Sequence, residues 1–158
     1  MQPNDICDMK VLVAPLNWGM GHVSRSIGLI DQLRKQNNSI IVACDPMQQR
    51  VFEMYFSELT FLHLEGYPFK FGGKGHFAWD LLRNWKALAK HVTKEAKQIE
   101  DWIRVHEVDI VLSDHRYGCY SKSVPSVFIT HQYNLPVSGV QKLADRWHKK
   151  FMRSFSTI

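Results

Sequence analysis

Short apolar segments alternate with segments of helical spacing along the chain. Five of the short segments are rich in β-branched residues and nearly free of charge, which is typical of strands buried on both faces of a sheet. They are 10–15, 39–44, 60–64, 108–113 and 126–130. Because these strands alternate with helices, the pattern predicts an α/β fold, a doubly wound parallel sheet with helices on both faces and a Rossmann-like topology.

Between and after the predicted strands, apolar residues recur every three or four positions, as on one face of a helix. Helices are predicted at 22–35, 79–105 and 137–155. A shorter helix is predicted to start at Asp45-Pro46, where Asp45 would cap the first turn and Pro46 would occupy it. The stretch 66–78 is rich in glycine and aromatic residues and is predicted to be a loop.

The length and composition are those of a single globular domain, 1–158. The chain has 158 residues, of which 45% are hydrophobic and 22% are charged, and its net charge is +5. This mild charge fits an acidic ligand, a nucleic acid or an anionic membrane surface and selects none of them. Because the sequence has neither an apolar run of about 20 residues nor an apolar signal core near its start, we expect a cytoplasmic chain.

The cysteines and histidines do not form a recognisable metal site. The three cysteines, Cys7, Cys44 and Cys119, are too few and too scattered for a disulfide framework or a cysteine zinc site. The eight histidines include no HxxxH or HExxH pair, so we expect no bound metal. Cys119 has no feature of an activated thiol, and we expect a buried cysteine in a helix.

In a doubly wound sheet, ligands bind beyond the carboxyl ends of the strands. The first predicted strand is followed by LNWGMGH, in which Gly19, Met20, Gly21 and His22 lead into a helix. Glycines here permit a tight turn and a close approach of ligand, and a helix start suits a phosphate or a developing anion. Alternatively, the glycines serve the turn alone. The spacing is not GxGxxG, so a standard dinucleotide site has little support.

Two more loops at the same predicted edge carry polar side chains. The fourth strand is followed by Asp114, His115, Arg116 and Tyr117, although Asp114 is equally compatible with a helix cap. The fifth strand ends in a run with four hydrogen-bonding residues: Thr130, His131, Gln132 and Asn134. Three polar loops on one edge together predict a sugar or phosphate site.

These loops carry a resemblance to a known family. The chain resembles the N-terminal, acceptor-side domain of a GT-B fold glycosyltransferase, most closely the MurG-like branch with the bacterial undecaprenyl-pyrophosphoryl-MurNAc-pentapeptide N-acetylglucosaminyltransferase. The similarity covers about residues 9–150. Its motifs are the Gly-His at a helix start, a tyrosine after the fourth strand and the family's HEQN stretch. Here they correspond to Gly19, Gly21 and His22, to Tyr117, and to His131, Gln132, Tyr133 and Asn134.

The chain departs from the family pattern at three places. Gln132 replaces the glutamate of HEQN, and Arg25 or its neighbours replace a proline that follows the Gly-His motif. His115 and Arg116 replace two glycines before the tyrosine. The bulkier, basic loop implies a different acceptor from that of the branch, so lipid I is not carried over as the substrate.

The resemblance implies transfer of a sugar from a nucleotide-sugar donor, UDP-linked, to a hydroxyl acceptor, without a cofactor or a nucleic-acid partner. An imidazole can accept a proton near neutral pH, so His22 is the candidate general base, with Asp114 less favoured. The remaining candidates would bind substrate: Gly19, Met20, Gly21, Arg25, His115, Arg116, Tyr117, Thr130, His131, Gln132 and Asn134. In this family a C-terminal domain holds most donor contacts. We therefore expect this chain to be inactive alone, as a truncated enzyme or one subunit of a split enzyme.

Two other functions stay open. One is half of a nucleotide-sugar 2-epimerase, which shares the two-domain fold, and the other is a non-catalytic subunit that anchors a catalytic partner. The predicted helix 137–155 is amphipathic and basic, so it suits an anionic membrane surface. We expect it to pack on its own domain first and to contact the inner membrane face only weakly.

Overall fold

Five parallel strands form one sheet in the computed structural model of the protein, which describes residues 5–67, 77–130 and 142–155. The strands are β1 (Lys10–Pro15), β2 (Ser39–Cys44), β3 (Thr60–His63), β4 (Ile110–Asp114) and β5 (Ser126–Ile129). They lie in the order β3-β2-β1-β4-β5, and each neighbouring pair is parallel. The predicted doubly wound α/β fold is confirmed, and the strand ends lie within about two residues of those expected from the pattern.

Four helices accompany the sheet in the described residues: α1 (Met20–Lys35), α2 (Pro46–Glu53), α3 (Phe77–His106) and α4 (Lys142–Met152). The cap predicted at Asp45 is confirmed, because its carboxylate accepts hydrogen bonds from the amides of Met47 and Gln48 at 2.8 and 2.9 Å. In return, the Gln48 side chain accepts a hydrogen bond from the Asp45 amide, which completes a capping box. The parts of the predicted loop and tail at 68–76 and 137–141 lie outside the described residues.

Side chains of the central strand point alternately to the two faces of the sheet, and each face is covered by helices. Val11 and Val13 pack with buried residues of α1 and α2, which include Val23, Ile30, Leu33 and Phe52. On the other face, Leu12 and Ala14 pack with Ile99 and Ile103 of α3. Burial of one such aliphatic side chain stabilises the fold by about 1.5–3 kcal/mol. The two cores hold the strands in place, so that the carboxyl ends of neighbouring strands lie along one edge of the sheet.

Helix α4 packs on its own domain, as its apolar pattern predicted. Phe155 lies just after the helix, and its ring is 4.8 Å from that of Phe128 on β5. Within the helix, Phe151 contacts the ring of Tyr117 at 5.3 Å, and His148 is buried. In the part of the chain that the structure describes, no helix combines the length and apolarity that crossing a bilayer requires. The membrane contact of the basic residues on α4 stays a prediction.

Two glycine substitutions should have opposite effects on stability. A Cβ at Gly118 would lie 2.5 Å from Glu95 side-chain atoms and 2.7 Å from the Val92 carbonyl, so Gly118→Ala should destabilise the fold by about 1–3 kcal/mol. A Cβ at Gly28, inside α1, would meet nothing within 4 Å. Gly28→Ala should therefore stabilise by about 0.5–1 kcal/mol through helix propensity. Urea unfolding measures both, and an unchanged Gly118→Ala midpoint would contradict the packing around Glu95.

Candidate active site

The topological switch point of the sheet lies between β1 and β4. The chain runs outward from β1 to β2 and β3 and then returns to place β4 on the other side of β1. Adjacent strand ends at such a switch point leave a crevice that binds ligands in open α/β sheets. Pro15 is paired with Asp114 here, and the amide of Leu16 donates to the Asp114 carbonyl at 2.9 Å. The loops predicted to carry the site therefore begin next to each other.

The loop after β1 is held by contacts that fix the start of α1. Gln48 donates from its side chain to the Leu16 carbonyl at 3.0 Å, and the Tyr67 amide donates to the Asn17 side chain at 3.4 Å. Gly19 then has φ +83° and ψ 169°, a conformation available essentially to glycine alone. This turn starts α1 at Met20, two residues before the predicted start, and puts His22 in the first turn of the helix.

His22 and Asp114 form a hydrogen-bonded pair at the crevice. Nδ1 of His22 lies 2.9 Å from Oδ2 of Asp114, and the two side chains are 14% and 2% exposed. The proton is assigned to Nδ1, because an unprotonated Nδ1 would turn its lone pair toward a carboxylate oxygen. Nε2 has no hydrogen-bond partner among the described residues and is then the proton-accepting nitrogen. Such a pair is the arrangement of a general base held by a buried carboxylate.

Arg25 lies one helical turn after His22 and also contacts Asp114. Its Nη2 lies 2.9 Å from Oδ1 and 3.1 Å from Oδ2, and its Nε lies 3.3 Å from Oδ2. Nη2 also approaches Nδ1 of His22 at 2.9 Å. Nδ1 cannot both donate to the carboxylate and accept from the guanidinium. We assign the Nη2 protons to the carboxylate, since charge-assisted bonds to a buried carboxylate are the stronger ones.

Other predicted site residues surround this pair. His115 has φ +60°, and its ring centroid lies 5.6 Å from that of His22. The His115 amide donates to the Ile129 carbonyl at 3.2 Å, which brings the half-buried Thr130 at the end of β5 near the same edge. Met20, 52% exposed, and Gly21 lie at the exposed start of α1. These four residues are therefore on the side of the loops where a substrate could reach them.

Arg116 and Tyr117 point into the interior and do not join the crevice. Arg116 is fully buried, and its Nε donates to Oε1 of Glu95 on α3 at 2.9 Å. Burial is the largest single effect and lowers the pKa of Arg116, but the charge of Glu95, the neighbouring Cys119 and Tyr67 and the hydrogen bond to Glu95 together raise it above its ordinary value. The Tyr117 hydroxyl shares a 2.8 Å hydrogen bond with Nδ1 of His148, and burial raises the pKa of this hydroxyl. This placement gives both residues a structural role in the chain.

Glu95 is a buried partner that the sequence reasoning missed. A signal was available, because Glu95 follows Val92 by three residues and precedes Ile99 by four in the apolar stripe of α3. A carboxylate in such a stripe requires a buried cation or hydrogen-bond donor. Three predicted site residues, His131, Gln132 and Asn134, lie outside the described residues and stay predictions.

The two inner thiols have the environment of structural cysteines. Burial, and next the charge of Asp45, raises the pKa of Cys44 to about 12. Burial raises the pKa of Cys119 as well. Cys119 is buried as expected, although it lies in the loop after β4 and not in a helix. Within the described ranges, no three or more His, Cys, Asp or Glu side chains lie close enough together to hold a metal ion.

Comparison with known proteins relates the fold to a glycosyltransferase. The solved structure of the spinosyn forosaminyltransferase SpnP is similar to this chain, with a TM-score of 0.51 and 17% sequence identity over 90% of the chain. The chain spans 36% of the length of that protein. No protein-family model and no curated protein sequence matches it, so the narrower MurG-like branch gains no support. The chain therefore has a Rossmann-like α/β fold of the kind found in part of a GT-B glycosyltransferase.

Proposed function

We propose that this chain is the acceptor-binding half of a glycosyltransferase that moves a sugar from a UDP-linked donor to a hydroxyl acceptor. The observation that carries the proposal is the hydrogen bond between His22 and the buried Asp114 at the crevice between β1 and β4. The fold shared with a protein whose name describes transfer of a forosaminyl group supports it further. His22 is the general base, and Asp114 is its partner instead of a second candidate base.

The reaction needs a base because an acceptor hydroxyl is a weak nucleophile until its proton is removed. Nε2 of His22 accepts this proton while the acceptor oxygen forms a bond to the anomeric carbon of the donor sugar. The bond from that carbon to the diphosphate breaks, and the diphosphate leaves with the electron pair. The Asp114 carboxylate, 2.9 Å from Nδ1, balances the positive charge that forms on the ring. A positioned base contributes about 10²–10⁴-fold to the rate.

The start of α1 contributes positive potential on the same side of the crevice. Gly19 makes no side-chain cap hydrogen bond, and the first turn of α1 contains no acidic residue. The first N–H groups of the helix therefore keep the positive end of the helix dipole unmasked. This end favours the diphosphate as its negative charge develops.

The donor is proposed to bind mainly to a second domain, on the same polypeptide or on a separate subunit. We expect the purified 158-residue chain to fold but to transfer no sugar, because it supplies only one wall of the cleft. The measurement is release of nucleoside diphosphate and of glycosylated product, with a panel of nucleotide sugars and hydroxyl acceptors. The chain is assayed alone and after fusion to, or mixing with, a donor-binding domain. Turnover by the isolated monomeric chain would refute the half-enzyme proposal.

The same assay separates the two alternative functions. A 2-epimerase would change the donor sugar without any acceptor, which is seen as a second nucleotide-sugar species in the product mixture. A non-catalytic anchoring subunit would support transfer by its partner equally well with and without His22. The proposed base function predicts neither outcome, since it requires both an acceptor and the His22 imidazole.

A further inference from the structure

The Arg25 guanidinium is bonded to a buried carboxylate of the protein, although the sequence predicts that Arg25 binds substrate. Its guanidinium makes three N–H···O contacts of 2.9–3.3 Å with the carboxylate of Asp114. The carboxylate is 2% exposed, whereas the Arg25 side chain is 39% exposed at the edge of the crevice. Within the described residues, Oδ1 has no hydrogen-bond donor other than Arg25, while Oδ2 is shared between Arg25 and His22. Arg25 and His22 therefore compete for one buried negative charge.

This competition decides how readily His22 can carry a positive charge. Among the residues that the structure describes, three charged or titratable groups face the ring: Arg25 from α1, Asp114 from β4 and His115 from the loop after β4. Asp114 favours the imidazolium, because it is a carboxylate 2.9 Å from Nδ1. Arg25 opposes the imidazolium, because its Nη2 is also 2.9 Å from Nδ1 and because it neutralises the same carboxylate. A base must be unprotonated before it can act, so the balance between these two charges matters for catalysis.

We propose that Arg25 is a positioning residue that keeps His22 in its neutral, proton-accepting form by sharing the carboxylate of Asp114. The inference rests on the proposed base function of His22 and goes beyond it, because it assigns Arg25 to the base instead of to the substrate. With Arg25 present, Asp114 orients the ring through Nδ1 without holding it as a permanent ion pair. Without Arg25, the carboxylate and His22 form that ion pair, and Nε2 is no longer free to accept a proton.

The decisive measurement follows the His22 ring directly in the 158-residue chain, without any substrate. Histidine labelled with ¹⁵N reports ring protonation by NMR across a pH series. In Arg25→Gln, His22 should take up its second ring proton at a higher pH than in the wild type, because the carboxylate of Asp114 is then no longer shared with a cation. Arg34→Gln is the matched control, because Arg34 lies on the same helix but pairs with Glu58 on the surface, and it should leave His22 unchanged. A His22 protonation curve in Arg25→Gln that superimposes on the wild-type curve overturns the proposal.

A second pair of variants covers the case in which Arg25→Gln does not fold. Asp114→Asn keeps the guanidinium beside His22 without the carboxylate, and Asp114→Asn/Arg25→Gln removes both charges. His22 should protonate at a lower pH in the single variant than in the double variant, since only the single variant retains the opposing cation. Equal protonation curves for these two chains would also overturn the inference.

Kinetics with the complete enzyme distinguish this role from substrate binding. Arg25→Gln should lower kcat at neutral pH by about 10-fold or more, leave KM for the acceptor unchanged and regain kcat at higher pH. Arg25→Lys keeps the positive charge and should retain most of the wild-type pH profile. A raised KM at every pH would identify a substrate contact and overturn the proposal. The two proposals can fail separately. If Arg25→Gln shifts the His22 protonation curve but no sugar transfer is detected with a donor-binding domain, the proposed glycosyltransferase function is wrong. The effect of Arg25 on the protonation of His22 is then still supported.

Discussion

Replacing His22 with alanine should lower kcat of the complete enzyme by about 10²–10⁴-fold, because in the proposed reaction the acceptor hydroxyl loses the group that removes its proton. The free energy of unfolding should change little, since His22 lies in the first turn of α1 and its ring is bonded at the edge of the crevice. Donor affinity should also be unaffected, because the donor is proposed to bind mainly elsewhere. Steady-state kinetics and urea unfolding on the same preparations test these expectations together.

Asp114→Asn should reproduce most of that loss, because the carboxamide neither fixes the proton on Nδ1 nor balances the charge on the ring. If the two residues act as a unit, the double variant should be little worse than the worse single variant. His63→Ala is the matched control, since His63 is an exposed histidine at the end of β3 and should retain full kcat. An active His22→Ala enzyme, or one that unfolds, would return this histidine to a structural role.

Glu95→Gln should destabilise the fold by about 3–5 kcal/mol, because it leaves the charge of Arg116 buried without its counter-ion. Both side chains are almost fully enclosed, at 2% and 0% exposure. The loss is a large share of the roughly 5–15 kcal/mol that stabilises an ordinary domain. The exposed pair of Lys94 and Glu65 provides the comparison, and Glu65→Gln should leave the urea midpoint almost unchanged, because water screens this pair. Urea unfolding of the two variants measures the difference.

A double replacement tests whether the cost comes from the unpaired charge. Glu95→Leu with Arg116→Met substitutes apolar side chains of similar length for the ion pair and should recover much of the stability lost in Glu95→Gln. A Glu95→Gln chain that loses less than about 1 kcal/mol would show that Arg116 finds another counter-ion or reaches water, contrary to its enclosed geometry. Circular dichroism confirms that each variant is folded before its transition is compared.

The sheet could be predicted because each strand is a short apolar run that can be recognised in the sequence without knowing its neighbours. The apolar runs at Lys10–Pro15 and Ser39–Cys44 have the composition of strands buried on both faces, and the helices between them have regular spacing. The start of α1 was less predictable. It depends on the backbone conformation at Gly19, which follows from tertiary contacts of the loop and not from helical periodicity.

The candidate site was predictable as a set of loops but not as a set of contacts. His22 and Asp114 were both candidates, since each follows a buried strand at the carboxyl edge. Their pairing spans 92 residues and depends on β4 lying beside β1, which the order of elements along the chain does not specify. The sequence pattern also places Arg116 at this edge, next to Asp114 in the same loop. The left-handed backbone at His115 turns the loop, and Arg116 meets Glu95 inside.

In the turn after β4, consecutive residues face opposite sides: the first two face the candidate site and the next two face the interior. Asp114 and His115 face His22, whereas Arg116 and Tyr117 are tied to α3 and α4 from within. Under the proposed function, exchange of His115 for a residue that tolerates a left-handed backbone, such as asparagine, would change the acceptor side of the turn and leave the bonds from Arg116 to Glu95 and from Tyr117 to His148 in place. Variants at His115 would therefore probe the proposed substrate side of this turn, whereas a change at Arg116 alone would leave the buried carboxylate of Glu95 without its counter-ion.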